Sequence, residues 1–160
     1  MTGQINVNKI AARTGNTITV ASGDVLQAPG HVLQVVEGTY DTQTDVAGSS
    51  YADSGLSVAI TPSSTSSKIL AIINVHCFNN GTGLIGLNIV RGSTQIVEST
   101  YAHGYDDNAA SMTVLTKLDS PNTTSATTYK VQTKISTGSG TLRINQTTGG
   151  SRITLLEIAG

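Results

Sequence analysis

Alternation with a period of two restricts this chain more than any other feature. The stretch "TTYKVQTKIS" (127–136) puts Tyr129, Val131, Thr133 and Ile135 on one side and Lys130, Gln132 and Lys134 on the other. Successive side chains of a strand point to opposite faces, so this is a strand with one face in a core. "GLSVAI" repeats the pattern with Leu56, Val58 and Ile60. In "KILAIINVHCF" (68–78) the odd positions Ile69, Ala71, Ile73, Val75 and Cys77 are all apolar. The even positions Leu70, Ile72, Asn74, His76 and Phe78 are mixed. The first set reads as core, and the second as the semi-polar face expected where a sheet meets another subunit. Further strands are read in "NTITV", "HVLQVVEGTY", "LIGLNIVRG", "STQIVEST", "SMTVLTKL", "TLRIN" and "RITLLEI". No segment carries a sustained i, i+3, i+4, i+7 apolar stripe with caps, so no long helix is expected, and "YADSG" offers one helical turn at most. About ten strands at such spacings indicate an all-β, antiparallel sandwich or barrel.

The first 30 residues differ from the rest. They hold few bulky side chains and three turn points, Thr14-Gly15, Ser22-Gly23 and Pro29-Gly30. Residues 1–30 are therefore read as either a loose terminal tail or, as the preferred reading, an extended arm that lies on a partner, and residues 31–160 as one sandwich body. A chain of 160 residues is long enough for such a core.

Composition removes several function classes. Only 12% of residues are charged and the net charge is -1. No basic excess is present to neutralise phosphates, so nucleic acid is not an expected partner. Aromatic residues make up 4%, with no Trp and one Phe, which argues against base-stacking platforms. No apolar stretch is long enough to span a bilayer as a helix, and no secretory leader is read after Met1, so no membrane is expected. The single cysteine, Cys77, cannot form an intrachain disulfide, which fits assembly in a reducing cytoplasm. The sequons at Asn80, Asn122 and Asn145 are read as chance matches in a Thr-rich chain.

One string imitates a cofactor motif. "GTGLIG" (81–86) spells G-x-G-x-x-G. The dinucleotide fingerprint needs a helix after the glycines and an acidic residue about 20 positions on. Here Ile85, Leu87 and Ile89 alternate as a strand, Glu98 is too close and Asp106 falls in a loop. No cofactor is expected. Asn79–Gly83 is read instead as the turn of a hairpin between two central strands, and Gly86 as a strand glycine under close approach.

No catalytic or metal constellation emerges. His31, His76 and His103 show no metal spacing, and His76 and Cys77 are neighbours on opposite faces of a strand. No nucleophile elbow or P-loop occurs, and no spaced carboxylate pair suited to glycoside hydrolysis can be nominated. An enzyme is not expected. The loop 102–110 gathers Tyr101, His103, Tyr105, Asp106 and Asp107, a set suited to contacting glycan hydroxyls.

The opening "VNKI…GNTITVASGD…APGHVLQVV" resembles that of tailed-phage fibre and head-decoration proteins. "SKILAIINVHCF", "GLNIVRGST" and the closing "SRITLLEIAG" are similar to the trimeric jelly-roll modules of such proteins, which share the shape of tumour-necrosis-factor and C1q heads. The resemblance implies a jelly roll, and a homotrimer whose semi-polar face lines a threefold axis through Leu70, Ile72, Asn74, His76 and Phe78. It also implies an arm that anchors to the virion or intertwines with neighbours. The expectation is a capsid decoration (cement) protein bound to the major capsid protein or other virion proteins. The alternative is a tail-fibre or receptor-binding tip whose 101–107 loop residues touch a host-surface glycan.

Overall fold

A computed structural model describes residues 28–104, 109–146 and 150–160. The proposed arm and its "NTITV" strand fall almost wholly outside these residues. Ten strands are seen: β1 (Val32–Tyr40), β2 (Thr44–Val46), β3 (Ala52–Ile60), β4 (Lys68–Gly81), β5 (Leu84–Arg91), β6 (Thr94–Gly104), β7 (Ala109–Asp119), β8 (Thr127–Thr137), β9 (Gly140–Ile144) and β10 (Ser151–Ile158). They form two antiparallel sheets. The first runs β1-β10-β4, with β7 on the other edge of β4, and the short β9-β2 pair also attached to β4. The second is four-stranded, β3-β8-β5-β6. Setting β2 and β9 aside, the orders β1-β10-β4-β7 and β3-β8-β5-β6 are the winding of a jelly roll. The chain is an all-β antiparallel sandwich of jelly-roll type.

The alternation read from the sequence sorts the side chains as expected. Ile69, Ala71, Ile73, Val75 and Cys77 of β4 are fully buried against Ile85, Leu87 and Ile89 of β5 and Tyr129 and Val131 of β8. Each fully buried Ile or Leu contributes roughly 1.5–3 kcal/mol of transfer free energy. Strand β4 is long because one of its edges serves two partners in succession. Residues 68–74 pair with β10, residues 77–81 with β9, and β7 runs along the opposite edge from Ile69 to Asn79.

Three local readings are corrected. Asn79–Gly83 does not close a hairpin, because β4 lies in the first sheet and β5 in the second, and the two strands do not pair. The chain crosses between sheets there. The second crossing, from β8 to β9, lies against it. A Cβ on Gly81 would stand 2.6 Å from the Ser139 carbonyl oxygen and 2.7 Å from Gly140 Cα, and one on Gly138 would run into the Thr82 carbonyl. Two crossings packed backbone on backbone explain the glycines of "GTG" and "TGSG". "YADSG" forms no helical turn. It starts β3 with a register shift between Asp53 and Ser57, and Gly55 at φ +93° lies against the Tyr40 ring, where a side chain has no room. Strand β6 continues to Gly104, so the loop read as 102–110 is shorter at both ends. Strand β2 was missed.

Two polar pins close one end of the sandwich. Asp119 of β7 is buried and accepts from Arg91 Nη1 of β5 at 2.7 and 2.9 Å and from the Tyr129 hydroxyl of β8 at 2.7 Å. This joins the two sheets. Burial raises the Tyr129 pKa, and the Asp119 carboxylate raises it further. Glu157 of β10 is fully buried and accepts from Gln34 Nε2 (2.6 Å), Ser63 N (2.7 Å) and Ser63 Oγ (2.7 Å). Burial alone would raise its pKa. The bonds from Gln34 and Ser63 outweigh burial and bring it below the ordinary glutamate value. At the same end Gly30 N donates to the Ala159 carbonyl and Ala159 N to that of His31, both at 2.8 Å, so residues 28–31 lie beside the C-terminal residues.

Candidate functional site

The two outer faces of the sandwich differ in kind. On the four-stranded sheet the outward side chains form a polar lattice. Lys130 Nζ and Gln132 Nε2 donate to Asp53 at 2.8 and 2.7 Å. Lys134 lies 4.3 Å from the Tyr51 ring centroid and pairs with Glu98, which also accepts from Tyr51 and Gln95. Hydrogen bonds to these partners hold Asp53 and Glu98 below their ordinary pKa values. Burial, helped by Glu98, pushes the Tyr51 phenol up to about 12. A Cβ on Gly86 would meet Ser136 Oγ at 2.6 Å and Lys134 Cε at 2.9 Å. The close approach expected at this glycine therefore comes from side chains within the chain.

The outer face of the six-stranded sheet is mixed, with one wholly apolar row. Residues directly paired across antiparallel strands share a face, so the register defines its rows. One row crosses all four main strands as Val35 (β1), Leu156 (β10), Leu70 (β4) and Leu118 (β7). The next rows are Glu37, Thr154, Ile72 and Thr116, then Thr39, Arg152, Asn74 and Val114, and His76 faces Met112 beyond them. Val32, Val35, Met112, Val114 and Leu118 are each at least 50% exposed. Exposed apolar side chains grouped on one face are the kind of surface that protein contacts use.

The structure places Leu70, Ile72, Asn74 and His76 together on this face, each half-buried. Phe78 shares it, in register with Ala110 and Arg143, but is only 8% exposed within its own chain. Cys77 points the other way and is fully buried, which pushes its thiol up to about 12. His76 Nδ1 is buried without a hydrogen-bond partner. The exposed stripes of β1 and β7 escaped the sequence reading. In "SMTVLTKL" the more apolar set, Met112, Val114 and Leu118, faces outward while Leu115 of the other set is buried, so the alternation alone points the wrong way and only the partner register shows the true orientation.

Tyr101 of β6 is 67% exposed near the end of the sandwich opposite residues 28–31. His103 belongs to β6 by its backbone, opposite Ile85. Tyr105, Asp106 and Asp107 lie outside the described residues. Among the described residues no three His, Cys, Asp or Glu side chains gather in a metal-like group.

No protein-family model and no curated protein matches the sequence. Among solved structures, the chain is similar to one described as the structure of infectious bursal disease virus Gx strain. The TM-score is 0.49 and the identity 17%, over 90% of this chain and 37% of the other. The chain thus spans little more than a third of that chain's length.

Proposed function

We propose that this chain is a non-enzymatic structural protein of a virion, working as a homotrimer that decorates and cements a phage head. The observation that supports this reading is the contrast between the outer faces. One is tiled by in-chain ion pairs and suits water. The other presents Val35, Leu156, Leu70 and Leu118 as an unbroken apolar row and suits another copy of the chain. The function is mechanical. Trimers held through the six-stranded sheet, with residues 1–30 reaching onto the major capsid protein, add buried area across capsid joints. A stable contact buries on the order of 1000 Å² or more. Sedimentation of the purified protein is expected to give about three times 16.5 kDa, and cryo-electron microscopy of the virion is expected to place the chain on the head. A monomer at micromolar concentration, or density only at the tail, contradicts the proposal.

A receptor-binding tip is the second reading, favoured by the exposed Tyr101 at the end far from residues 28–31. It predicts host-glycan binding that is lost in Tyr101→Ala. Absence of any glycan-array signal removes it.

A further inference from the structure

A cavity of about 410 Å³ opens between the β5–β6 turn and the β7–β8 loop, at the end of the sandwich that carries residues 28–31. Its volume falls within the roughly 300–1,000 Å³ of small-molecule sites. Its lining is polar, with Arg91, Ser93 and Thr94 on one side and Thr123, Thr127 and Thr128 on the other. Among the described residues no acidic side chain lines it. The walls are braced from within the chain. Gly92 N donates to the Thr128 carbonyl at 2.8 Å, Ser125 N to Thr123 Oγ1 and Thr127 Oγ1 to the Ser125 carbonyl, the last two at 3.0 Å. Arg91 is held more firmly still. Its Nη1 donates to both Asp119 oxygens, at 2.7 and 2.9 Å, and to the Ser120 carbonyl at 3.1 Å. All three bonds end on Nη1, so they leave the Nε–Nη2 edge unused. That edge is a fork able to hold a carboxylate side-on. Asp119 is buried and lies outside the lining, whereas the Arg91 side chain is 24% exposed within it. The ion pair therefore turns its positive end to the cavity.

We propose that this cavity binds a sugar acid, with Arg91 holding the carboxylate and the Ser93, Thr94 and Thr128 hydroxyls bonding the sugar hydroxyls. One guanidinium matches one carboxylate. The Ser and Thr hydroxyls each donate or accept, as a sugar hydroxyl requires of its partner. A guanidinium already fixed by Asp119 and Ser120 loses little freedom when the ligand arrives, so less of the contact is spent on ordering. The apolar side chains of the lining are Pro121 and Ala126, with no aromatic ring, so an apolar ligand gains little here. Every lining residue comes from one chain, so the site needs no self-association. It also stands apart from Tyr101, which lies toward the opposite end.

The test is a titration of the full chain with galacturonate, galactose and acetate, followed through backbone amide NMR shifts. Millimolar galacturonate is expected to shift the Ser93, Thr94 and Thr128 amides to saturation. Galactose lacks the carboxylate and acetate lacks the sugar, and each is expected to bind about tenfold more weakly or worse. Arg91→Lys keeps a charge for Asp119 but loses the fork, and should weaken galacturonate binding by about tenfold or more. Ala126→Glu sets a like charge on the exposed rim and should weaken it as much without moving the melting temperature, which keeps the test decisive where Arg91→Lys fails to fold. Tyr101→Ala should bind as wild type does. The proposal is overturned by absence of saturable shifts, or by galactose or acetate binding as tightly as galacturonate. Wild-type affinity in Ala126→Glu or in folded Arg91→Lys overturns it too, as does loss of binding in Tyr101→Ala.

Discussion

Replacing Glu157 with Gln tests whether a buried carboxylate organises the end of the sandwich. The carboxylate receives three donors, from Gln34 Nε2, Ser63 N and Ser63 Oγ, at 2.6–2.7 Å. A neutral amide keeps one acceptor oxygen and turns an NH₂ toward groups that also donate. Hydrogen bonds to a charged group are each worth about 1.5–3 kcal/mol. Losing the equivalent of two gives an expected loss of about 3–6 kcal/mol, out of the roughly 5–15 kcal/mol of a typical domain. For a chain of this size that is a drop of roughly 6–24 °C in Tm. The pH dependence supplies the sign. The folded pKa of Glu157 lies below its unfolded value, which is about 4.3. Its contribution is therefore complete above that value and is lost as pH falls through the folded pKa. Urea midpoints of wild type and Glu157→Gln, measured from pH 7 down to pH 3, should converge as the pH drops, leaving a shallower acid slope in the variant. A variant within 0.5 kcal/mol of wild type at pH 7, or one with an unchanged acid slope, refutes the reasoning.

Other outcomes follow from the same structure. Gly81→Val combines a positive φ of 139° with a Cβ 2.6 Å from the Ser139 carbonyl oxygen, so a loss of about 3 kcal/mol or more is expected in the urea midpoint or as insoluble expression. Leu118→Asp should leave the circular dichroism spectrum unchanged and abolish the trimer in sedimentation, because this side chain is half exposed in the single chain. Tyr129→Phe removes one donor from buried Asp119 and should cost about 1–3 kcal/mol, read by thermal melting at neutral pH. Cys77, with its thiol pushed up to about 12, should stay unmodified by a thiol reagent at pH 8 until the protein is unfolded.

The side chains show which parts of this architecture could be read in advance. The two faces of 68–78 and of 127–136 were legible because in each one set is far more apolar than the other, so burial leaves a single choice. The winding itself entered through resemblance, because pairings such as β1 with β10 join residues more than a hundred positions apart and leave no local trace. The Asn79–Gly83 turn shows the same limit. Asn and Gly there announce a reversal, but whether the chain returns to its own sheet depends on the distant glycines 138 and 140. Gly55 was misread because its partner, the Tyr40 ring, belongs to another strand. The candidate interface was half legible. Strand β4 showed its mixed face, while β1 carries apolar residues on both of its sides and β7 turns its more apolar set outward. Residues 1–27 and 105–108, which carry most of the arm and of the glycan loop, lie outside the described residues.

Residues 28–31 and the C-terminal residues meet at one end of adjacent antiparallel strands, β1 and β10. Tension has an easy and a hard direction in such a pair. The cross-strand hydrogen bonds lie perpendicular to the strands, so pulling residues 28 and 160 apart opens them singly, as a zipper. Pulling residue 28 against the far end of the sandwich loads the whole β1–β10 ladder in shear. A body tethered through its N-terminal segment and gripped through its opposite end would be loaded along its strong axis. Single-molecule pulling along the two directions should give clearly different rupture forces.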